Sequence, residues 1–259
     1  MPATFELRAG NASMRADAGA TLEQVQSAAA VAGQWLPVDA DPRTTVAELL
    51  ARRDGGPREA RHGRLRDRVL ACGAGGLTHG CEAVKNVAGY DMRRALLGVV
   101  EIEWAVLRLA ARPAWRRHVR LQGGDALALA EALRALAAAP AALVVLAPDL
   151  LVASDDAPAG EAERRTRDLD VAARAAGAAI EELAEAAWIA VCAGLPTTRV
   201  RLPGRSAAEL LAGHPGSVYD AGRRLALVTA GVADQVRPAR LAPAPPPALA
   251  RAVREALGA

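Results

Sequence analysis

The sequence predicts a mixed α+β fold. Segments with helical and with strand periodicity alternate along its 259 residues. It has no glycine fingerprint of the kind that marks a doubly wound parallel sheet, so α+β is the better class. Hydrophobic residues make up 52% of the chain, which is enough to bury a substantial core. A chain of this length accommodates one large domain or two small ones.

The first half begins with strand-like pieces and two helices. Thr21 and Thr45 each precede apolar residues at helical spacing, and each can accept a hydrogen bond from the first turn. The first helix should end at Gly33, and the second near the turn at 54–57. The other predicted elements are strands over 4–7 and 13–17, a hairpin over 69–72 and 77–82, a short helix over 92–97 and a strand over 99–109.

The second half has longer helices. Asp125 caps an alanine- and leucine-rich helix that reaches Ala138, and a charged amphipathic helix covers 160–175. The other predicted elements are strands over 118–122, 142–146, 150–154, 218–219 and 225–229, a short helix over 206–212, a stiff proline-rich linker over 242–247 and a terminal helix over 248–257. We therefore predict one domain over 1–115, a second over 116–240, and a linker with the C-terminal helix over 241–259.

Charge and cysteine content exclude several classes of protein. The formal charge is +3, from 32 basic and 29 acidic residues, and the arginine pairs are scattered, so we expect no nucleic-acid binding. We predict the arginine-rich stretch 58–68 to be a solvated loop, with a phosphate or an acidic partner as the alternative. Cys72, His79 and Cys81 lack a fourth ligand at zinc spacing, so a buried thiol pair is expected rather than a metal site.

The sequence also limits where the protein can be. Its N-terminus lacks the apolar stretch of a signal peptide, and no run of about 18 apolar residues indicates a membrane span. We expect a cytoplasmic protein that can be attached to a membrane through a partner.

The segment 84–91, Val-Lys-Asn-Val-Ala-Gly-Tyr-Asp, concentrates groups able to touch a ligand. Lys85 is a cation with three donors, and Asn86 offers a donor and an acceptor. Gly89 permits close backbone approach, and Tyr90 brings a flat ring with a polar tip. From these residues alone, a surface turn with Tyr90 at the edge of the core remains the alternative.

Four segments in order resemble a known flavoprotein family. They cover residues 33–39 (Gly-Gln-Trp-Leu-Pro-Val-Asp), 56–58, 62–70 and 84–91. Their order is similar to the FAD-binding subunit of bacterial glycolate oxidase, in the vanillyl-alcohol oxidase / p-cresol methylhydroxylase (PCMH) superfamily. The resemblance implies a PCMH-type FAD-binding domain followed by a smaller α+β cap domain. It covers about residues 14–113 with specific motifs.

The same resemblance implies an activity, a cofactor and partners. FAD would take a hydride from the α-carbon of a small 2-hydroxy acid such as glycolate. A catalytic flavoprotein subunit and an iron–sulfur subunit would complete the complex. No membrane span and no metal ligand are implied for this chain.

The resemblance also implies a set of cofactor-binding residues. Gly63 and Gly89 would give close backbone approach, Arg66 and Asp67 would form a charge pair, and Lys85 and Tyr90 would border the flavin or its pyrophosphate. His62 is either a proton acceptor or structural, and no catalytic residue is assigned. The predicted cofactor-binding residues are His62, Gly63, Arg66, Asp67, Lys85, Asn86, Gly89, Tyr90, Asp91 and Gly98.

The sequence departs from the family pattern at three cofactor-facing elements. The 13 residues before Met14 contain no glycine/serine-rich pyrophosphate loop, whose backbone N–H groups would hold a diphosphate. Residues 99–101 (Val-Val-Glu) replace a second glycine-rich turn, and Glu101 would repel phosphate. The segment 45–55 is predicted as a helix where the family has a glycine-rich approach to the flavin.

These departures predict an N-terminally short, partly degenerate domain. The alternative function is therefore a degenerate flavin-domain subunit with a structural or assembly role and no bound FAD. An unrelated α+β binding module is a third hypothesis.

Overall fold

The computed structural model describes residues 4–81, 92–196, 198–201, 204–229 and 232. These residues form two compact units. Of the described residues, unit 1 contains those up to Gly56 and from Gly63 to Arg112, and unit 2 contains Pro57–His62 and those from Pro113 onward. The chain thus enters unit 2 briefly and returns to unit 1 before it crosses again at Pro113. The domain limits 1–115 and 116–240 stay a prediction.

The described residues contain strands and helices in mixed order. The strands are β1 Phe5–Arg8, β2 Ser13–Asp17, β3 Gln34–Trp35, β4 Val69–Ala74, β5 Leu77–Gly80, β6 Trp104–Arg108, β7 Ala110–Ala111, β8 Trp115–Gln122, β9 Ala142–Ala147, β10 Leu150–Ala157, β11 Ala179–Glu182, β12 Thr198–Arg201, β13 Val218–Asp220 and β14 Leu225–Val228. The helices are α1 Leu22–Ala30, α2 Val46–Arg52, α3 Glu59–His62, α4 Leu65–Arg68, α5 Met92–Leu96, α6 Ala126–Arg134, α7 Ala162–Ala175, α8 Glu185–Ala193 and α9 Gly204–Gly213.

Unit 1 is built on a five-stranded antiparallel sheet in the order β1-β2-β6-β4-β5. β3 and β7 form a separate two-stranded ribbon. The core of the unit includes Met14 and Ala16 from β2 and Ala105 and Leu107 from β6. Each pair lies two residues apart along its strand, so it points to one face of the sheet.

Both helices predicted in the first half are present, and both begin with a capping box. Thr21 Oγ1 accepts a hydrogen bond from the Gln24 backbone N–H, and the Gln24 side chain accepts one from the Thr21 N–H. Thr45 and Glu48 repeat this arrangement at α2. Two N–H groups that would lack a partner are thereby satisfied at each helix start. These signals are local in sequence, which is why they predicted both helices.

The strand predicted over 99–109 starts five residues late. The N–H groups of Val99 and Val100 both donate to the Leu96 carbonyl, at 2.9 and 3.1 Å. This turn continues α5 and removes both donors from the sheet. This accounts for the absence of Val99 and Val100 from the strand, which begins at Trp104. The short helices α3 and α4, in the stretch predicted as a solvated loop, were not indicated by the sequence pattern.

Unit 2 contains a seven-stranded antiparallel sheet in the order β11-β8-β10-β9-β13-β14-β12. One face carries the larger core, to which α6 contributes Leu129 and Leu133 and α7 contributes Leu169. The opposite face carries a smaller core that includes Trp188 of α8. The sequence pattern predicted neither strand β11 nor helix α8.

Helix α6 begins where the sequence predicts, after the Asp125 cap, but it ends earlier than predicted. Asp125 Oδ1 accepts hydrogen bonds from the N–H groups of Leu127 and Ala128, both at 3.0 Å. The helix ends at Arg134, four residues before the predicted Ala138. The predicted linker and terminal helix lie outside the described residues. Within the described part of the chain, no helix is long and apolar enough to cross a lipid bilayer.

Gly73 has no room for a side chain. It pairs with Trp104 across β4 and β6, and a Cβ at this position would overlap the Trp104 indole, over which the Arg15 guanidinium also lies at 3.8 Å. Gly73→Ala should therefore lower the free energy of unfolding by about 1–3 kcal/mol. Urea unfolding followed by tryptophan fluorescence measures this change.

The matched control is Gly19→Ala. A Cβ at Gly19 meets nothing within 4 Å, so this substitution should change stability by no more than about 0.5 kcal/mol. Equal effects of the two substitutions would contradict the packing role of Gly73.

Candidate functional site

The predicted cofactor-binding residues divide into two groups. Half of them lie outside the described residues and stay predictions: Lys85, Asn86, Gly89, Tyr90 and Asp91. The other half are described: His62 in unit 2, and Gly63, Arg66, Asp67 and Gly98 in unit 1.

Gly63 has the backbone expected of a ligand-approach position. Its φ is +82°, in the region that favours glycine. A Cβ built there would meet nothing within 4 Å. The residue therefore leaves open space beside its backbone that a cofactor group can enter.

Gly98 has a different environment. Its φ is +69°, but a Cβ there would lie 2.5 Å from Arg53 Nε and 2.8 Å from the Ala51 carbonyl oxygen. The space beside this backbone is filled by the end of α2. Packing within unit 1 therefore accounts for glycine at this position.

Arg66 and Asp67 form the expected charge pair on an exposed surface. Arg66 Nε lies 3.9 Å from Asp67 Oδ1, and Arg94 Nη2 lies closer, at 3.0 Å. The Asp67 side chain is 41% exposed, and ion pairs of this kind contribute about 0–1 kcal/mol. Contact with a cofactor at this pair stays a prediction.

His62 belongs to a buried polar network in unit 2. Its Nε2 lies 3.2 and 3.1 Å from the two carboxylate oxygens of Asp156. Arg58 donates from Nη2 to Ser154 Oγ at 2.8 Å, and its Nε lies 3.7 Å from Asp156. Although burial opposes ionisation of Asp156, the hydrogen bond from His62 and the charges of His62 and Arg58 lower its pKa below the usual value. Asp156 is therefore a buried, ionised acceptor.

The neighbouring Asp155 binds two further arginines. Arg165 Nη1 donates to both of its oxygens, at 3.0 and 3.1 Å, and Arg61 Nη1 donates to Oδ1 at 2.9 Å. Burial raises the pKa of Asp155 and outweighs the opposing charges of Arg165 and Arg61. Arg61 also lies 3.9 Å from Asp156, so the two adjacent carboxylates share this arginine while each has partners of its own.

A second set of buried charged residues lies at Glu59, near the start of residues 57–62. Arg223 donates from Nη1 to Glu59 at 3.2 Å and from Nε to Asp220 at 2.5 Å. Gly222 leaves room for the Ala60 methyl group, which a Cβ on Gly222 would approach to 2.9 Å. We call residues 57–62 the inserted segment, because they pack as part of unit 2.

The solvated loop predicted over 58–68 is therefore wrong for the inserted segment. Arg58 and Glu59 are buried, because they find acidic and basic partners far along the chain. The sequence did hold a signal for this network. Asp155 and Asp156 end an apolar strand, and buried carboxylates require cationic partners.

His118 is a buried polar residue outside the predicted set. Its side chain faces Trp188, with ring centroids 5.6 Å apart and planes 9° from parallel. His118 is 5% exposed, and neither ring nitrogen has a hydrogen-bond partner among the described residues. Burial, reinforced by the positive charges of Arg58 and Arg116, lowers its pKa to about 4. The ring is therefore neutral at pH 7.

The described residues contain no cluster of three or more His, Cys, Asp or Glu side chains that could hold a metal ion. The expected buried thiol pair is wrong in one member, since Cys72 is buried and Cys81 is exposed. β4 is buried along its whole length, whereas Cys81 follows the exposed strand β5.

An open groove of about 470 Å³ lies along α7 in unit 2. The Trp115 indole forms one wall, and α7 contributes Glu163, Arg167 and Asp170. Arg167 lies between the two carboxylates at helical spacing, so the charges in the groove are mixed. The groove therefore has no convergent set of groups that selects a ligand class.

The comparisons with known proteins support the fold. No protein-family model matches the chain, and no curated protein matches it. One solved structure of alkyldihydroxyacetonephosphate synthase matches with a TM-score of 0.59 at 14% identity, over 71% of this chain and 42% of that one. A second structure of the same enzyme, from a different crystal form, matches with a TM-score of 0.61 at 13% identity, over 79% and 52%.

At such identities the similarity establishes the fold alone. The chain spans about half the length, or less, of the structures it matches. The predicted fold class is confirmed as mixed α+β, since both helices and sheets are present and the fold is similar to that of the two synthase structures.

The buried network generates a prediction for Asp156. Asp156→Asn removes a buried charge and leaves Arg58 without its counter-ion, so unit 2 should lose about 3 kcal/mol of unfolding free energy at pH 7. Because the pKa of Asp156 is lowered by folding, the wild-type advantage is present above about pH 4 and disappears as the pH falls through the folded pKa. Chemical denaturation at several pH values measures it.

Asp67→Asn is the control for this experiment. Asp67 also pairs with two arginines, but it is exposed, so its loss should change stability by less than about 1 kcal/mol. Similar losses for the two variants would argue against a buried, ionised Asp156.

Proposed function

We propose that this chain is the FAD-binding subunit of a complex that oxidises a small 2-hydroxy acid such as glycolate. A catalytic flavoprotein subunit and an iron–sulfur subunit would complete the complex. The observation that carries the proposal is the similarity in fold, over 71% and 79% of this chain, to the two synthase structures. The order of the four sequence motifs adds the family and, through it, the substrate class. Since fold alone does not determine function, both supports are needed.

Within this proposal, Gly63 is the described position best suited to the cofactor. Its left-handed backbone and open Cβ side allow a phosphate or ring to lie against the main chain. Lys85 and Tyr90 are proposed to border the flavin or its pyrophosphate. When bound, FAD accepts the hydride from the substrate, and the protein's part is to hold and orient it.

A second candidate function is a structural subunit without FAD. The observation that favours it is the contact of Gly98 with Arg53 and Ala51. A glycine that resembles a cofactor-approach position is retained there because the chain itself fills the space. A flavin-like fold can thus keep its motif glycines for packing alone.

Cofactor content separates the two candidates. The chain should be co-expressed with the proposed flavoprotein and iron–sulfur subunits and purified as a complex. We expect flavin absorption bands from this subunit and release of FAD on denaturation. A subunit that carries no FAD, alone and in the complex, would overturn the first candidate and favour the second.

Gly63→Ala tests where the cofactor lies. We expect it to lower FAD content several-fold, because a methyl group enters the proposed approach. Gly216→Ala is the matched control, since Gly216 has a φ of +85° and also no atom within 4 Å of its Cβ position. Both substitutions impose similar backbone strain of about 1–2 kcal/mol, so equal FAD loss from both would remove Gly63 from the site.

Lys85→Ala and Tyr90→Phe test the motif residues. If the chain binds FAD, each should reduce FAD content or the activity of the complex. If the chain has only a structural role, both should leave the activity and assembly of the complex unchanged. Assembly is measured by gel filtration, and activity by reduction of an artificial electron acceptor with glycolate.

A further inference from the structure

Helix α8 buries one side chain fully against its sheet. Trp188 is its only fully buried residue, whereas Ile189, Val191 and Cys192 are partly buried. Ala187 and Ala190, on other sides of the helix, are exposed. An element with so few buried apolar contacts opens more easily than the rest of a unit. The contact made by Trp188 therefore decides whether α8 stays in place.

That contact is with an imidazole that lacks hydrogen bonds. The His118 ring stacks on Trp188, is 5% exposed, and has no partner for either nitrogen among the described residues. A buried polar group without a partner is destabilising and calls for an explanation. Protonation increases the demand, because the imidazolium has two N–H donors and a charge to satisfy.

The charged groups around His118 do not offer it a counter-ion. Asp156 of β10 is engaged by His62 and Arg58, and Glu185 of α8 accepts a hydrogen bond from Arg116 at 2.8 Å. On the same strand as His118, Arg120 pairs with Glu181 of β11. The charged groups that act on His118 are Arg58 of the inserted segment, Arg116 of its own strand, Asp156 of β10 and Glu185 of α8. His62, Arg120 and Glu181 lie on the inserted segment, on β8 and on β11, and are paired with one another or with Asp156. Each carboxylate in this set already has a cationic or imidazole partner.

We propose that His118 is an acid-sensitive latch for α8, so that its protonation releases Trp188 and lets α8 leave the sheet. In the closed state the ring is buried and resists the proton. In the open state water solvates it and it takes the proton readily. Acid therefore favours the open state, and this inference is independent of the proposed oxidoreductase function.

The direction and size of the pH effect on α8 opening follow from the difference between the pKa values of His118 in the closed and open states. His118 has a pKa of about 4 when buried, against an ordinary value of 6.5. The neutral, buried His118 makes its full contribution to the stability of the closed state above pH 6.5. This contribution is lost as the pH falls from 6.5 towards 4. From these values, the ratio of open to closed α8 should rise roughly 20-fold between pH 7 and pH 5.

Hydrogen exchange on the full-length protein tests the latch. Protection factors of the amides in 185–193, corrected for the intrinsic pH dependence of exchange, should fall roughly 20-fold from pH 7 to pH 5. The amides of α6 on the opposite face should stay protected over the same range. Acrylamide quenching of tryptophan fluorescence should increase in parallel, since Trp188 becomes accessible.

His118→Phe keeps a flat ring against Trp188 and cannot be protonated, so it should abolish the pH dependence of α8. His118→Leu is the second variant, for use if the larger ring disturbs folding. His214→Phe, which changes a histidine outside the cluster, should retain the wild-type pH dependence.

The latch is overturned if α8 protection in the wild type does not change between pH 7 and pH 5. It is also overturned if His118→Phe and His118→Leu both keep the wild-type pH dependence, or if His214→Phe removes it. Loss of protection in α6 together with α8 would indicate unfolding of the whole unit and would equally contradict a local latch.

Discussion

The structure of unit 2 depends on the two adjacent carboxylates at the end of β10. Asp155 and Asp156 are buried, and between them they contact Arg58, Arg61 and His62 of the inserted segment. A carboxylate cannot remain ionised in the interior without such partners. Buried ion pairs specify a particular arrangement more than they stabilise it. Removing the inserted segment from unit 2 would leave these buried charges unpaired, which is strongly destabilising, so the network holds residues 57–62 in unit 2.

The two ends of the inserted segment are also held in defined conformations. At its start, Glu59 joins the Arg223–Asp220 pair, so a buried acid again meets a buried base. At its end, Gly63 turns the chain in the left-handed region, which a residue with a Cβ adopts only with strain. Arg58 also lies 5.9 Å from the Trp188 ring, which links the network to the stack on His118. Arg58 thus connects the buried ion network of the inserted segment to the aromatic stack that holds α8.

The sequence predicted those parts of the fold whose causes are local. The capping boxes at Thr21 and Thr45 lie within four residues of the groups they satisfy, and the hairpin of β4 and β5 is marked by its glycine turn. The inserted segment could not be predicted in this way. Arg61 meets a partner 94 residues away, and Glu59 meets one 164 residues away. Such pairings are set by the packing of the whole unit, which no short window of sequence contains.

The candidate site shows the same limit in its glycines. Gly63 and Gly98 both have positive φ and both match positions that the family resemblance places near a cofactor. Yet the space beside Gly63 is open, and that beside Gly98 holds Arg53 and the Ala51 carbonyl. A motif glycine indicates a positive φ, a close approach to the backbone, or both. Whether the approaching group is a ligand or the chain itself depends on the neighbouring element, here the end of α2, and this is why a family-like motif alone does not establish a cofactor.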